Sequence, residues 1–251
     1  MARPDNKLLY TDILRASGEL FSLPFAVHLA LAPKGDGHPI LFLPGFFGGD
    51  LTTHIARRYF RMKGYRTYGW GLGTNFGPSE ARMEKLVARF KDIYEKNGQK
   101  PISIVGHSLG GLYARELAKT YPEMVRRVIT LGTPIVKIDE GMDELRAAFE
   151  FLNPQTEHLN KRELLQELAD PPPVETTVIY TKLDGIVHYR SCKQPDPPDY
   201  VENIVVPGSH CGLIVNAQAF HIMAERLVHN PEQDKKSRSN KGSTIFGNAP
   251  T

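Results

Sequence analysis

The stretch ISIVGHSLGGLYARELAKT, residues 102–120, decides how the rest of the chain is read. Its opening ISIV is a strand-like run, LGGLYARELAKT behaves as an amphipathic helix, and between them lies Gly106-His107-Ser108-Leu109-Gly110, a G-x-S-x-G pentapeptide in strand-to-helix context. A serine at such a sharp turn needs small neighbours, so that the backbone can fold tightly and the hydroxyl can stand above the sheet. A helix N-terminus directly behind it supplies partial positive charge and N–H donors where an oxyanion would develop. These features mark Ser108 as a candidate nucleophile rather than a residue of an ordinary turn.

Outward from this stretch the chain alternates short β-rich runs with helical ones. HPILFLPG (38–45), YRTYGWG (65–71), PISIVGH (101–107), RRVITLGTP (126–134), TTVIYTK (176–182) and ENIVVPG (202–208) read as strands bounded by Gly, Pro or Asn. Several are almost continuously apolar, as strands covered on both faces are. In SEARMEKLVARFKDIYEKNG (79–98), Met83, Leu86, Val87, Phe90 and Tyr94 recur at helical spacing, Ser79 can cap the start and Gly98 can end the helix. LTTHIARRYFRMKG (51–64) and NAQAFHIMAERLVHN (216–230) behave likewise. The alternation predicts an α/β fold, a mostly parallel sheet flanked by helices. The rhythm breaks between Ile135 and Val174, where GMDELRAAFEFL and NKRELLQELAD suggest helices and DPPPVE stops the second. An insert at the carboxyl end of a strand tends to overhang the ligand crevice, so residues 135–174 are expected to form a small helical cap. The expected organisation is an N-terminal helical segment (1–35), an α/β domain (36–230) and a disordered tail (231–251).

Composition sets limits on function. With 251 residues, 41% hydrophobic and 24% charged, the chain is an ordinary globular sequence with enough length for one substantial core. Formal charge is +3. Beyond residue 228, Lys235, Lys236, Arg238 and Lys241 stand against Glu232 and Asp234, which leaves only +1 for the rest and argues against a nucleic-acid partner. Arg57, Arg58, Arg61, Lys63 and Arg66 fall mainly on a helix face opposite Leu51, Ile55, Tyr59 and Met62, a solvated face rather than a phosphate patch. No secretory signal pattern is read at the N-terminus, so the expected location is cytoplasmic. LFSLPFAVHLALAP (20–33) is shorter than the roughly 20 residues that span a bilayer. It is expected to pack over the core or the site, with peripheral membrane contact as the alternative.

A serine hydroxyl is a poor nucleophile at neutral pH and needs a histidine base held by an acid. Behind a G-x-S-x-G elbow these partners follow in the order Asp or Glu, then His. Asp184 comes directly after the strand 176–182, and His210 follows the strand 202–208. Parallel strands share their carboxyl ends, so both emerge at the edge of the sheet that carries Ser108. His107, His188 and His221, and Asp170, Asp196 and Asp199, are less well placed. The oxyanion hole needs two N–H donors: Leu109 supplies one, and Phe46 in the glycine-rich LFLPGFFGGD (41–50) is the expected second. That loop has neither Walker nor dinucleotide spacing, so it does not read as a phosphate cradle.

On PGFFGG, GHSLGG, LGTP, DGIV and GSHCG, in that order, the chain resembles the α/β-hydrolases, and among them the bacterial lipase/esterase type, over about residues 36–229. The resemblance implies a serine hydrolase that cleaves small-molecule or lipid carboxylic esters through an acyl-enzyme, with Ser108, Asp184 and His210 as its triad and no cofactor. Acyl transfer to an alcohol, thioester hydrolysis and a non-catalytic acyl-binding module are the alternatives. Two departures stand out. Pro44-Gly45 occupies the place where many lipases have His-Gly, and SHCGLIVN (209–216) lacks the aspartates through which some secreted lipases hold calcium, so no metal is expected. Phe47, Trp70, Leu72 and Leu213 are expected to line a hydrophobic acyl pocket, with Phe76 and the cap residues Phe149, Phe151 and Leu152 as further candidates. Cys192 and Cys211 sit near the expected acid and base. A bridge between them would stabilise by about 3 kcal/mol in the chain-entropy model, whereas a cytosolic setting favours free thiols, and the sequence leaves both states open.

Overall fold

The computed structural model of the chain describes residues 6–135 and 170–228. All six strand-like runs form strands: β1 (Pro39–Leu43), β2 (Arg66–Gly69), β3 (Ile102–His107), β4 (Val125–Leu131), β5 (Thr176–Tyr180) and β6 (Val201–Val205). They make one sheet in the order β2-β1-β3-β4-β5-β6, and each neighbouring pair is parallel. This is the mostly parallel sheet flanked by helices expected from the sequence. Parallel register brings the carboxyl ends of β3, β5 and β6 to one edge.

The apolar runs are continuous because both faces are covered. Ile40 and Phe42 of β1 point into one core layer and Leu41 and Leu43 into the other, as the two-residue period of a strand requires. The first layer is closed by α3 (His54–Met62) and α7 (Ala217–Val228), through Phe60, Phe220, Met223 and Leu227. The second is closed by α4 (Glu80–Lys96) and α5 (Leu109–Thr120), through Leu86, Phe90, Ile93, Tyr113 and Leu117. Helix boundaries have local causes. Ser79 caps α4 by accepting from the Arg82 N–H, and Gly98 leaves the helix at φ 66°. Asn216 Oδ1 accepts from the Gln218 and Ala219 N–H groups at the start of α7, 3.0 Å each.

The face of α3 differs from expectation. Ile55 and Tyr59 pack inward, but Leu51 and Met62 are exposed and the buried face is centred on Ala56 and Phe60. Leu51 precedes the first turn of the helix. Met62 lies two positions beyond Phe60, about 200° around the helix axis.

The N-terminal segment is built in an unusual sense. Helix α1 (Asn6–Ser22) buries Asp12, while Tyr10, Ile13, Leu14 and Phe21 are exposed. A 3-10 turn (Leu23–Phe25) then leads to α2 (His28–Leu31), whose Leu29 enters the first core layer while Phe25, Val27 and Leu31 remain exposed. The Tyr59 hydroxyl donates to the Leu29 carbonyl, and Lys63 Nζ donates to the Ala30 and Ala32 carbonyls, fixing α2 on α3. Among the described residues no helix is long and apolar enough to cross a membrane. The expected cap lies outside the described residues apart from its two ends, as do Phe149, Phe151, Leu152 and the expected disordered tail.

Candidate active site

Strand β3 passes into α5 with a single residue between them. That residue, Ser108, has φ 50° and ψ −123°, a backbone conformation that costs a non-glycine residue strain. Three bonds hold it there: its N–H donates to the Leu131 carbonyl at 2.7 Å, and its carbonyl accepts from Gly111 N–H and Thr133 Oγ1, both at 2.9 Å. A Cβ on Gly106 would overlap the backbone of Gly110 and Gly111, so the tightness of the turn explains that glycine.

Asp184 follows β5. Its Oδ1 accepts from the Ile186 N–H at 2.9 Å and the Val187 N–H at 2.7 Å, which leaves Oδ2 for His210 Nδ1 at 2.7 Å. His210 follows β6, and its Nε2 lies 2.9 Å from Ser108 Oγ. Because a carboxylate accepts, Nδ1 carries the proton, so Nε2 presents its lone pair to the serine hydroxyl. All three side chains are buried. Burial pulls the His210 imidazolium down, but Asp184, first by charge and then by its hydrogen bond, and after it the charge of Asp12, outweigh that and raise its pKa.

The structure thus brings Ser108, Asp184 and His210 together and leaves the rival residues elsewhere. His107 Nε2 donates to the His210 carbonyl at 2.9 Å, and burial, then the neighbouring His210, lowers its pKa to about 4, so it stays neutral as a prop. His221 pairs with Glu225 along α7, and His188 precedes α6 (Tyr189–Cys192).

The PGFFGG loop lies against the serine: a Cβ on Gly45 would stand 3.1 Å from Ser108 Cβ. Leu109 is the first residue of α5, where helix N–H groups lack partners within the helix. Sequence reasoning missed what holds the loop. Asn75, fully buried, exchanges backbone bonds with Phe47 and Gly48 at 2.8 and 2.7 Å, and its Nδ2 donates to the Pro44 carbonyl at 2.9 Å. Its Oδ1 accepts from the Tyr113 hydroxyl and the Gly77 N–H. In the sequence it stands in GLGTNFGP, where an asparagine among glycines signals only a turn.

The expected pocket is partly corrected. Trp70 is fully buried in the α4–α5 layer, stacked on Tyr113, with its indole N–H on the Gly73 carbonyl; satisfying that one donor lets the whole ring enter the core. Leu72 leans on the same cluster. Leu213 is fully buried in the other layer, and together with His210 it flanks Gly132 of the LGTP motif. Phe47 is exposed, with its ring 4.3 Å from Phe46 and 6.0 Å from Phe76. Cys192 and Cys211 are both free thiols, so the bridge held open by the sequence is absent. Burial raises both thiol pKa values, that of Cys211 to about 12, and neither is an activated nucleophile. Among the described residues no group of three His, Cys, Asp or Glu side chains is placed to hold a metal ion.

A second Ser-His-Asp chain lies at the opposite end of the strands. His38 Nε2 is 2.8 Å from Ser103 Oγ and Nδ1 is 2.5 Å from Asp36 Oδ1, while Arg126 pairs with Asp36 at 2.6 Å. Ser103 is fully buried inside β3, without a helix N-terminus behind it. Burial, then the Arg126 charge, lowers the His38 pKa to about 4, the reverse of the direction at His210. The two chains thus share their residue types and distances but differ in electrostatic setting.

Comparison with known proteins agrees with this architecture. Residues 38–157 match the family model for the alpha/beta hydrolase fold. A triacylglycerol lipase of Pseudarthrobacter phenanthrenivorans is 28% identical over 106 residues, a match that spans 39% of this chain and 33% of the lipase. The human serine hydrolase-like protein is 26% identical over 162 residues, 61% of this chain and 79% of that one. The crystal structure of an alpha/beta hydrolase enzyme from the metagenome of Mar Chica lagoon sediments superimposes with a TM-score of 0.54 at 19% identity, covering 80% of this chain and 94% of the other. Sequence and structure likeness agree on the α/β-hydrolase fold, and the matched relatives carry lipase and hydrolase names. In this the chain is similar to members of the α/β-hydrolase superfamily.

Ser103→Ala strips a buried histidine nitrogen of its partner and is expected to cost about 1–3 kcal/mol in urea denaturation; an unchanged urea midpoint would contradict a structural role for the bond from Ser103 to His38.

Proposed function

We propose that the chain is a serine carboxylester hydrolase working through an acyl-enzyme. The observation that carries this reading is the unbroken chain from Ser108 Oγ through His210 to Asp184, on a strained elbow at the N-terminus of α5. Ser108 Oγ attacks the ester carbonyl as His210 Nε2 takes its proton, forming a tetrahedral oxyanion. The amides of Leu109 and Phe46 hold that oxygen. Its collapse expels the alcohol, which receives the proton from His210, and leaves the acyl group on Ser108. Water, deprotonated by the same imidazole, then attacks the acyl-enzyme, and Ser108 Oγ departs with the proton as the acid is released. Asp184 keeps the imidazole in the required tautomer and stabilises its charged form. Phe46, Phe47 and Phe76 offer apolar surface for the acyl chain.

Hydrolysis of p-nitrophenyl esters across an acyl-length series tests the reading. Ser108→Ala is expected to lower kcat on the order of 10⁶-fold, and unchanged turnover in that variant would overturn it. The base must be neutral, so kcat/KM should rise with pH as His210 loses its proton. Because the His210 pKa is raised, that rise should be centred above the ordinary imidazole value.

We also propose an anionic lipid surface as the place where ester substrate is met. Phe21, Phe25, Val27 and Leu31 are each at least 75% exposed, and α2 is hydrogen-bonded to Lys63, beside the exposed Arg58 and Arg61 of α3. Apolar side chains next to cationic ones suit an interface carrying negative charge. The protein should float with phosphatidylcholine/phosphatidylglycerol vesicles, and the double variant Phe25→Ser, Leu31→Ser should not. Absence of flotation by the parent, or self-association that the double variant abolishes, would contradict the proposal.

A further inference from the structure

Helix α1 lies outside the sheet and its crossovers, yet its polar face reaches the two loops that carry Asp184 and His210. Asp12, Arg15 and Glu19 are spaced i, i+3 and i+7 and so share one face of the helix. Asp12 is 1% exposed. Its Oδ2 accepts from the Gly185 N–H at 3.2 Å and the His210 N–H at 2.9 Å, and its Oδ1 accepts from the Cys211 N–H at 2.9 Å. Arg15 Nη1 donates to the Leu183 carbonyl at 2.8 Å and, at 3.4 Å, to the Gly208 carbonyl. Glu19 accepts from the N–H and hydroxyl of Ser209 and from Asn216 Nδ2. A single carboxylate thus ties the residue after Asp184 to His210 itself.

We propose that Asp12 is a positioning residue for the Ser-His-Asp chain, one that fixes the acid and base loops relative to each other and supplies a second negative charge to the His210 imidazolium. This rests on the reading of Ser108, His210 and Asp184 as a triad. The two parts of the role follow from the same contacts. Three backbone N–H groups, two of them in buried bonds, converge on one point, and a carboxylate is the side chain that can take all three. A buried carboxylate keeps its charge when several N–H groups point at it, and the Asp12 pKa is lowered: burial opposes ionisation, but the Cys211 and His210 amides, then the His210 charge, outweigh it. That charge lies close to an imidazole which must become cationic while the serine is deprotonated. The groups facing His210 are Asp184, Ser108, His107 from β3, Cys211 and Asp12. Those facing Asp12 are His210, Cys211 and Arg15, the last at 3.3 Å. Of these, Arg15 offsets the negative charge, and Asp12 and Asp184 together favour the imidazolium.

The test is Asp12→Asn, which keeps the shape and removes the charge. Titration of His210 by NMR of carbon-13-labelled histidine needs no substrate, so it reports on the inference whether or not the chain hydrolyses esters. The His210 pKa is expected to fall, and with it the acid limb of kcat/KM should move to lower pH. Displacing the two loops should lower kcat about 10- to 100-fold with KM little changed. If Asp12→Asn fails to fold, Arg15→Gln gives the converse test, since it leaves Asp12 uncompensated and should raise the His210 pKa. An unshifted His210 titration in the folded variant overturns the inference. A shifted titration in a protein whose parent form hydrolyses no ester would uphold it and count instead against the hydrolase reading.

Discussion

The site depends on one constrained residue, the serine that turns β3 into α5. At φ 50° Ser108 spends conformational energy, and the surrounding backbone compels it: Leu131 takes its N–H, Gly111 and Thr133 take its carbonyl, and the Gly106 turn admits no side chain. The strain places an oxygen at the head of a helix, at the sheet edge where β5 and β6 also end. The remaining parts are arranged around that oxygen. Asp184 is anchored by two amides so that one carboxylate oxygen is left for His210, and Asn75 pins the loop that comes within a methyl group's reach of the serine.

The buried chain of Ser103, His38 and Asp36 isolates what that constraint adds. It has comparable distances and the same three residue types, but its serine lies in regular strand and its histidine is depressed by burial and by Arg126. At the other edge two carboxylates act on one imidazole, and the shift reverses. Electrostatic setting and backbone conformation, rather than hydrogen-bond length, distinguish the two serines.

Much of this was legible in the sequence. The six strands could be found because parallel strands covered on both faces are apolar throughout, and chain order then led to Asp184 and His210. What escaped were contacts that depend on tertiary placement. Trp70 reads as an aromatic beside the site, but only the nearby Gly73 carbonyl explains how its ring enters the core. Asn75 reads as a turn residue, and nothing local reveals that its side chain bridges Pro44 and Tyr113. Asp12 was the hardest to see. In α1 the apolar positions face outward and the carboxylate faces in, the inverse of the pattern from which buried helix faces are normally inferred.

The central claim is that Ser108, and no other serine, is the activated nucleophile. Reaction with a fluorophosphonate followed by peptide mass mapping tests it most directly, because the reagent reports on nucleophilicity without assuming a substrate. The account predicts one adduct per chain, on Ser108, lost in His210→Gln. No adduct, or an adduct on another residue, would contradict it.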